Sequence, residues 1–196
     1  MANYHGILAT GQALKNLLVA ALPQPDLDGA EIALYRPEDF DTPMPFGISI
    51  HLYRVTNTAG IISRPFRVAP GGRRYLPSLL VDLHYLVTPW APTAEKQYAV
   101  LGWAMRALDD CPGLNAGLLN YGLPSDDTFS TGEAVQIMLE PLSMADLGYI
   151  WESFKPNVQV SVAYVARMVA LDSEVSVVDG RLVQTRAFEM GEAVAQ

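Results

Sequence analysis

Two periods of hydrophobic and polar residues run through this chain and divide it into helices and strands. Over residues 4–22, Ile7, Leu8, Leu14, Leu17, Leu18, Ala21 and Leu22 recur at spacings of three and four, which predicts an amphipathic helix stopped by Pro23 and Pro25. A turn-rich Asp26-Leu27-Asp28-Gly29 leads into a short strand at residues 31–35. An acidic, proline-punctuated loop with Pro37, Asp39, Asp41, Pro43 and Pro45 follows. Residues 46–56 alternate, Phe46, Ile48, Ile50 and Leu52 on one face and Ser49, His51 and Tyr53 on the other, as a half-buried strand does. Residues 79–90 (LLVDLHYLVTPW) are apolar on both faces except at Asp82, His84 and Thr88. This strand belongs in the sheet centre, packed on both sides.

Residues 93–110 predict a second helix with Tyr98, Leu101, Met105 and Leu108 on one stripe and Glu95 in its first turn, ended by Cys111-Pro112-Gly113. A short helical or irregular piece at 114–119 and a polar loop at 124–132 precede a strand at 133–142. Ser143-x-x-Asp146 has the form of a capping box opening a third helix to residue 154, closed by Pro156. Residues 158–171 alternate again. In the tail, VSVV-DG-RLVQT places Asp179-Gly180 between two β-prone runs, the sequence signal of a hairpin over residues 175–185. These elements predict one α/β domain, a mixed five- or six-stranded sheet flanked by about three helices. Its bounds are residues 1–171, with 172–196 as a hairpin and tail that either serve assembly or cover the domain's own sheet edge.

Composition narrows the function. Thirteen Lys and Arg against twenty-one Asp and Glu give a net charge of −8, which argues against coating nucleic acid. The lone Cys111 excludes an internal disulfide, and its place at a helix C-terminus disfavours a reactive thiolate. No basic leader or membrane-length apolar run is expected, so the chain reads as one made and folded in the cytoplasm. His5, His51 and His84 lack second ligands at metal-compatible spacing, and no cofactor motif stands out. Asp109-Asp110 and Asp126-Asp127 read as solvated charges, and Trp90, Trp103 and Trp151 as core anchors. Asp82 and His84 share a strand face and are the one pair on which a small-molecule enzyme could be built; a hydrogen-bonded structural pair is the simpler reading. Gly71-Gly72 before Arg73-Arg74 lacks the Lys-Ser or Lys-Thr of a phosphate loop.

The aperiodic stretch 57–78 is the more informative one. Residues 42–81 contain no acidic residue but carry Arg54, Arg64, Arg67, Arg73 and Arg74, a basic island in an acidic chain. Long loops in small domains are functional or mobile, and arginines there suit an acidic protein partner.

Four strings in register, LPSLLVDLHYLVTPW (76–90), YAVLGWAMRALDDCPGL (98–114), IMLEPLSMADLGYIWESF (137–154) and VQVSVAYVARMVAL (158–171), resemble the N-terminal domain of the cap proteins of extracellular contractile injection systems. The resemblance implies a tail-terminator-like fold and a homohexameric ring. That ring would sit on the inner tube and sheath away from the baseplate and end their growth, in a particle kept in its producer or released. A terminator of a phage or bacteriocin contractile tail is the neighbouring possibility. On this reading Arg64, Arg67, Arg73 and Arg74 contact a tube or sheath subunit, the Asp179-Gly180 hairpin is a second partner-binding element, and no catalytic residue, cofactor or metal is required.

Overall fold

A computed structural model describes residues 4–58, 65–69, 71–111, 113–123, 128–154 and 158–177. Eight strands and four α-helices follow one another along it: α1 (Gly6–Ala21), β1 (Glu31–Tyr35), β2 (Gly47–Asn57), β3 (Arg67–Val68), β4 (Arg74–Tyr75), β5 (Leu79–Trp90), α2 (Ala94–Asp109), β6 (Gly113–Asn115), α3 (Ala116–Asn120), β7 (Ala134–Glu140), α4 (Met144–Glu152) and β8 (Val162–Leu171). The main sheet has six strands in the order β1-β2-β5-β8-β7-β6; β3 and β4 form a separate ribbon. β1 runs parallel to β2, and every other pairing in the sheet is antiparallel. A parallel neighbour needs a crossover. Here the crossover is the proline-rich loop with its 3-10 turn, Pro37–Phe40, which drops Phe40 onto the sheet.

Alternation on β2 and β5 divides the core as the pattern requires. Ile48 and Ile50 of β2 and Val81, Leu83, Tyr85 and Val87 of β5 face α1 and α2 in the larger cluster. Leu86 and Trp90 face the opposite way, against Phe40, Met44, Trp151 and Phe154 in a smaller aromatic cluster under α4. Phe40 stacks on Phe154 with ring centroids 4.3 Å apart and meets Trp151 edge-on at 5.6 Å. Trp90 and Trp151 are buried as expected. Trp103 is half-buried and donates its indole N–H to the Ala21 carbonyl at the end of α1.

The cap predicted at Ser143 forms, and Thr93 caps α2. The Thr93 hydroxyl accepts from the Lys96 N–H, and the Ser143 hydroxyl accepts from the Asp146 N–H at 3.1 Å. The buried stripes of the helices differ from those expected. On α2 the buried line is Val100, Ala104 and Leu108, while Tyr98 is exposed, and on α1 it is Gly6, Ala9, Thr10, Gly11, Ala13, Leu14 and Leu18, while Leu8 is half exposed. Small residues allow α1 and α2 to approach each other and the sheet closely, so the larger apolar side chains sit at the margins. The piece at 114–119 divides into the edge strand β6 and α3, capped by the Asn115 side chain accepting from Leu118 N–H.

His51 of β2 lies on the aromatic side of the sheet. Its Nδ1 bonds the Tyr35 carbonyl at 2.8 Å, and its ring meets Phe40 and Phe154 edge-on. Burial pushes the imidazole below the ordinary histidine value, opposed in part by the Tyr35 bond and by Asp39. The unfolded chain therefore takes up a proton that the folded one resists. Stability is fully present above the unfolded pKa of about 6.5 and is lost as the pH falls through it toward the lower folded value. Melting at pH 7.5 and 5.5 should show a larger drop in the parent than in His51→Asn; equal drops would assign the acid sensitivity elsewhere.

Candidate functional site: an arginine-bearing arm

The stretch without periodicity builds a small antiparallel arm. β3 pairs with β4 in the register Arg67↔Tyr75 and Val68↔Arg74. The turn between them is closed by Ala69 N–H to Arg73 O at 2.9 Å and Gly72 N–H to Ala69 O at 3.0 Å. Gly71 and Gly72 take φ values of 91° and 81°, which explains the glycine pair as turn chemistry rather than a phosphate cradle. The other edge of β4 is taken by the start of the C-terminal segment. Tyr75 bridges Ser176, Leu76 N–H donates to Val175 O at 3.0 Å, and Val177 N–H donates to Arg74 O at 2.8 Å.

Arg67 locks that third strand in place. Its guanidinium lies 3.2 Å from Asp172, donates to the Ser173 carbonyl at 3.0 Å and stands 4.4 Å over the Tyr75 ring. Ser78 adds a 2.6 Å bond to the same Asp172 carboxylate. Arg74 stacks over Phe66 at 4.7 Å and Arg73 stands 5.8 Å from the Tyr75 ring, with Arg73 exposed. Thus the structure brings Arg67, Arg73 and Arg74 together in one arm and gives Arg67 an internal role. Arg64, Asp179 and Gly180, with the hairpin beyond residue 177, lie outside the described residues. What sequence reasoning missed is the arm's apolar component: Phe66, Val68, Leu76 and Val175 are 44%, 64%, 40% and 59% exposed, so the surface is apolar as well as arginine-bearing. Phe66, Val68 and Leu76 lie within the aperiodic stretch, so no periodic run marks them in the sequence.

Asp82 and His84 do different things. Opposite Asp82, β8 carries one extra residue, with Met168 at φ 57°, and the Asp82 carboxylate accepts the Met168 N–H at 2.8 Å and the Thr58 hydroxyl at 3.1 Å. It satisfies a donor that the bulge takes out of the ladder. His84 belongs to a polar cluster across three strands: Nδ1 lies 2.7 Å from Glu140, Nε2 2.9 Å from the Thr56 hydroxyl, and Tyr53 and Arg54 also bond Glu140, at 2.9 and 3.2 Å. The cluster ties β2, β5 and β7 together beside the aromatic cluster, against which Tyr53 packs. Cys111 is half-buried, its thiol donating to the Gly113 carbonyl. Among the described residues, no three or more His, Cys, Asp or Glu side chains group as metal ligands, and no helix is long and apolar enough to cross a membrane.

Comparison with known proteins sets the arm and sheet in context. The fold is similar to that of a chain described as the sheath/tube terminator, in the extended state, of an extracellular contractile injection system, PVC, at 21% identity and a TM-score of 0.57 over 97% of this chain. It is similar also to the tube-terminating cap of the anti-feeding prophage, AFP, at 18% identity and a TM-score of 0.56 over 94% of this chain. The chain spans 63% and 60% of the length of those two proteins. No curated protein matches it in sequence. A family model described as the Pvc16 N-terminal domain matches residues 9–185, nearly the whole chain, and the resemblance to the contractile-injection cap proteins seen in the sequence therefore holds: the chain belongs to the Pvc16 N-terminal domain family.

Proposed function

We propose that this protein is a structural cap of a phage-tail-like contractile injection system, ending the polymerisation of inner tube and sheath at the end distal to the baseplate. The observation that carries this reading is the family match over residues 9–185, joined to a fold like that of a sheath/tube terminator across nearly the whole chain. A cap on a six-fold tube must present matching symmetry, so the working form is a homohexameric ring. Its contacts are with itself and with sheath and inner tube proteins. The arm supplies the adhesive surface through Arg64, Arg73 and Arg74, and Arg67 holds its third strand. The domain of residues 1–171 forms the body of the ring, and 172–196 serves assembly, its first residues stitched to the arm and the Asp179-Gly180 hairpin reaching a neighbour. Catalysis has no place in this reading, and Asp82 and His84 are structural.

Electron microscopy of particles from a strain lacking the chain tests it. Particles should be unstable or irregular in length; uniform, normally sheathed particles would sink the assignment.

A further inference from the structure

The sheet's first strand offers what the arm lacks. Among the described residues β1 pairs only with β2, so its outer edge keeps backbone donors and acceptors unpaired. Beside that edge lie two recesses. The first, about 160 Å³, is apolar, between α1 and β1, lined by Leu8, Gly11, Leu34, Ile50 and Tyr85 among others. Leu8 and Leu34 there are 49% and 37% exposed, and the Tyr85 hydroxyl, deeply buried, has no partner among the described residues. The second, about 360 Å³, is flanked by the carboxylates Glu31, Glu38 and Asp39. Residues 26–41 hold six carboxylates against the single Arg36, which is itself paired with Glu38 and Asp39.

The arm is the complement of this edge. β3 also has a free outer edge among the described residues, flanked by exposed Phe66 and Val68; the arm bears the exposed Arg73, and β1 opens on the exposed Glu31. One surface is apolar and basic along an open strand; the other is apolar and acidic along an open strand. From this we infer that the arm of one copy docks on the β1 edge of a second copy, β3 pairing with β1, an apolar arm side chain entering the recess beside Tyr85, and Arg73 meeting the 26–41 carboxylates. The two surfaces are different patches of the same chain. The contact is therefore heterologous, head to tail, and builds a ring where its rotation closes, not a two-fold dimer. It deepens the capping proposal, whose ring it would build, and rests on that reading for its biological setting.

Two singly labelled chains test the contact. Leu34→Cys and Val68→Cys, each in a Cys111→Ser background, are co-assembled and treated with a short bis-maleimide, both in purified particles and as isolated protein at high concentration. Both sites are already partly exposed, so the fold should survive. The expected result is a covalent dimer from the mixture and none from either variant alone. Dimers from one variant alone would show an isologous contact, and crosslinks of the Val68 variant to sheath or tube protein would show that the arm has a different partner; either overturns the inference, as does no crosslink. Glu31→Arg and Arg73→Glu should each lower the yield several-fold, and mixing the two reversals on opposite surfaces should restore it; failure to restore would remove the charge pairing. Crosslinked rings from isolated protein that is absent from purified particles would leave the contact standing while refuting the cap reading.

Discussion

Replacing Gly47 by alanine should unfold the domain or cost about 4 kcal/mol or more, beyond the range of ordinary point mutations. Gly47 opens β2 at φ 146°, and an added Cβ would sit 1.9 Å from the Glu31 carbonyl oxygen and 2.7 Å from its carbonyl carbon. Every obstructing atom is backbone of the paired strand, so no side-chain rotation relieves the clash. The Glu31 N–H donates to the Phe46 carbonyl at 3.0 Å at this same junction, and β1 pairs with β2 from Glu31↔Gly47 onward. Alanine would have to pry apart the single parallel pair of the sheet, and the β1 edge with it. Gly102→Ala is the control. Gly102 lies within α2 with nothing within 4 Å of an added Cβ, and alanine there should be neutral or stabilising by about 0.5–1 kcal/mol. Chemical denaturation of both variants checks the contrast; a Gly47→Ala protein with parental stability would mean that β1 and β2 do not meet in this register.

Phe40→Ala should be the next most damaging change, at about 3–5 kcal/mol. Phe40 is fully buried and contacts Tyr35, His51, Trp90, Trp151 and Phe154 through its ring. It hangs from a four-residue 3-10 turn whose other restraints, a capping box and ion pairs between Arg36, Glu38 and Asp39, are at the turn's own surface, so this side chain is what anchors the turn to the core. Truncation leaves a cavity and frees the crossover that makes β1 parallel. At about 2–4 °C per kcal/mol for a chain of this size, melting should fall by roughly 6–20 °C. Phe40→Leu should retain about half of the difference, and Asp41→Ala, one residue on and exposed, should change little.

These two residues also mark the limits of what the sequence disclosed. The strands at 31–35 and 79–90 were legible to the residue because alternation and β-branched runs are local signals, and Thr93 and Ser143 marked helix starts because capping is local too. Parallel pairing of β1 with β2 was not legible, since it depends on where a crossover docks its one aromatic. The three-residue β6 escaped because so short a strand carries no period. The cluster of Tyr53, Arg54, Thr56, His84 and Glu140 is assembled from three strands far apart in sequence, so no spacing could announce it. The sequence marked the arginines of the arm by their freedom from neighbouring acids. That Arg67 turns inward became visible only with Asp172, more than a hundred residues later, beside it.

That last pairing sets an order of events. The middle strand of the arm is made early, at residues 74–75, but its partner at 175–177 is among the last of the described residues to leave the ribosome. Contacts of such sequence separation form late, after the intervening sheet has brought the ends together. The arm's third strand and its Arg67 clasp are thus completed only once the body of the domain is folded. A chain still being synthesised therefore presents no finished arm, and any contact made through it waits for the folded body.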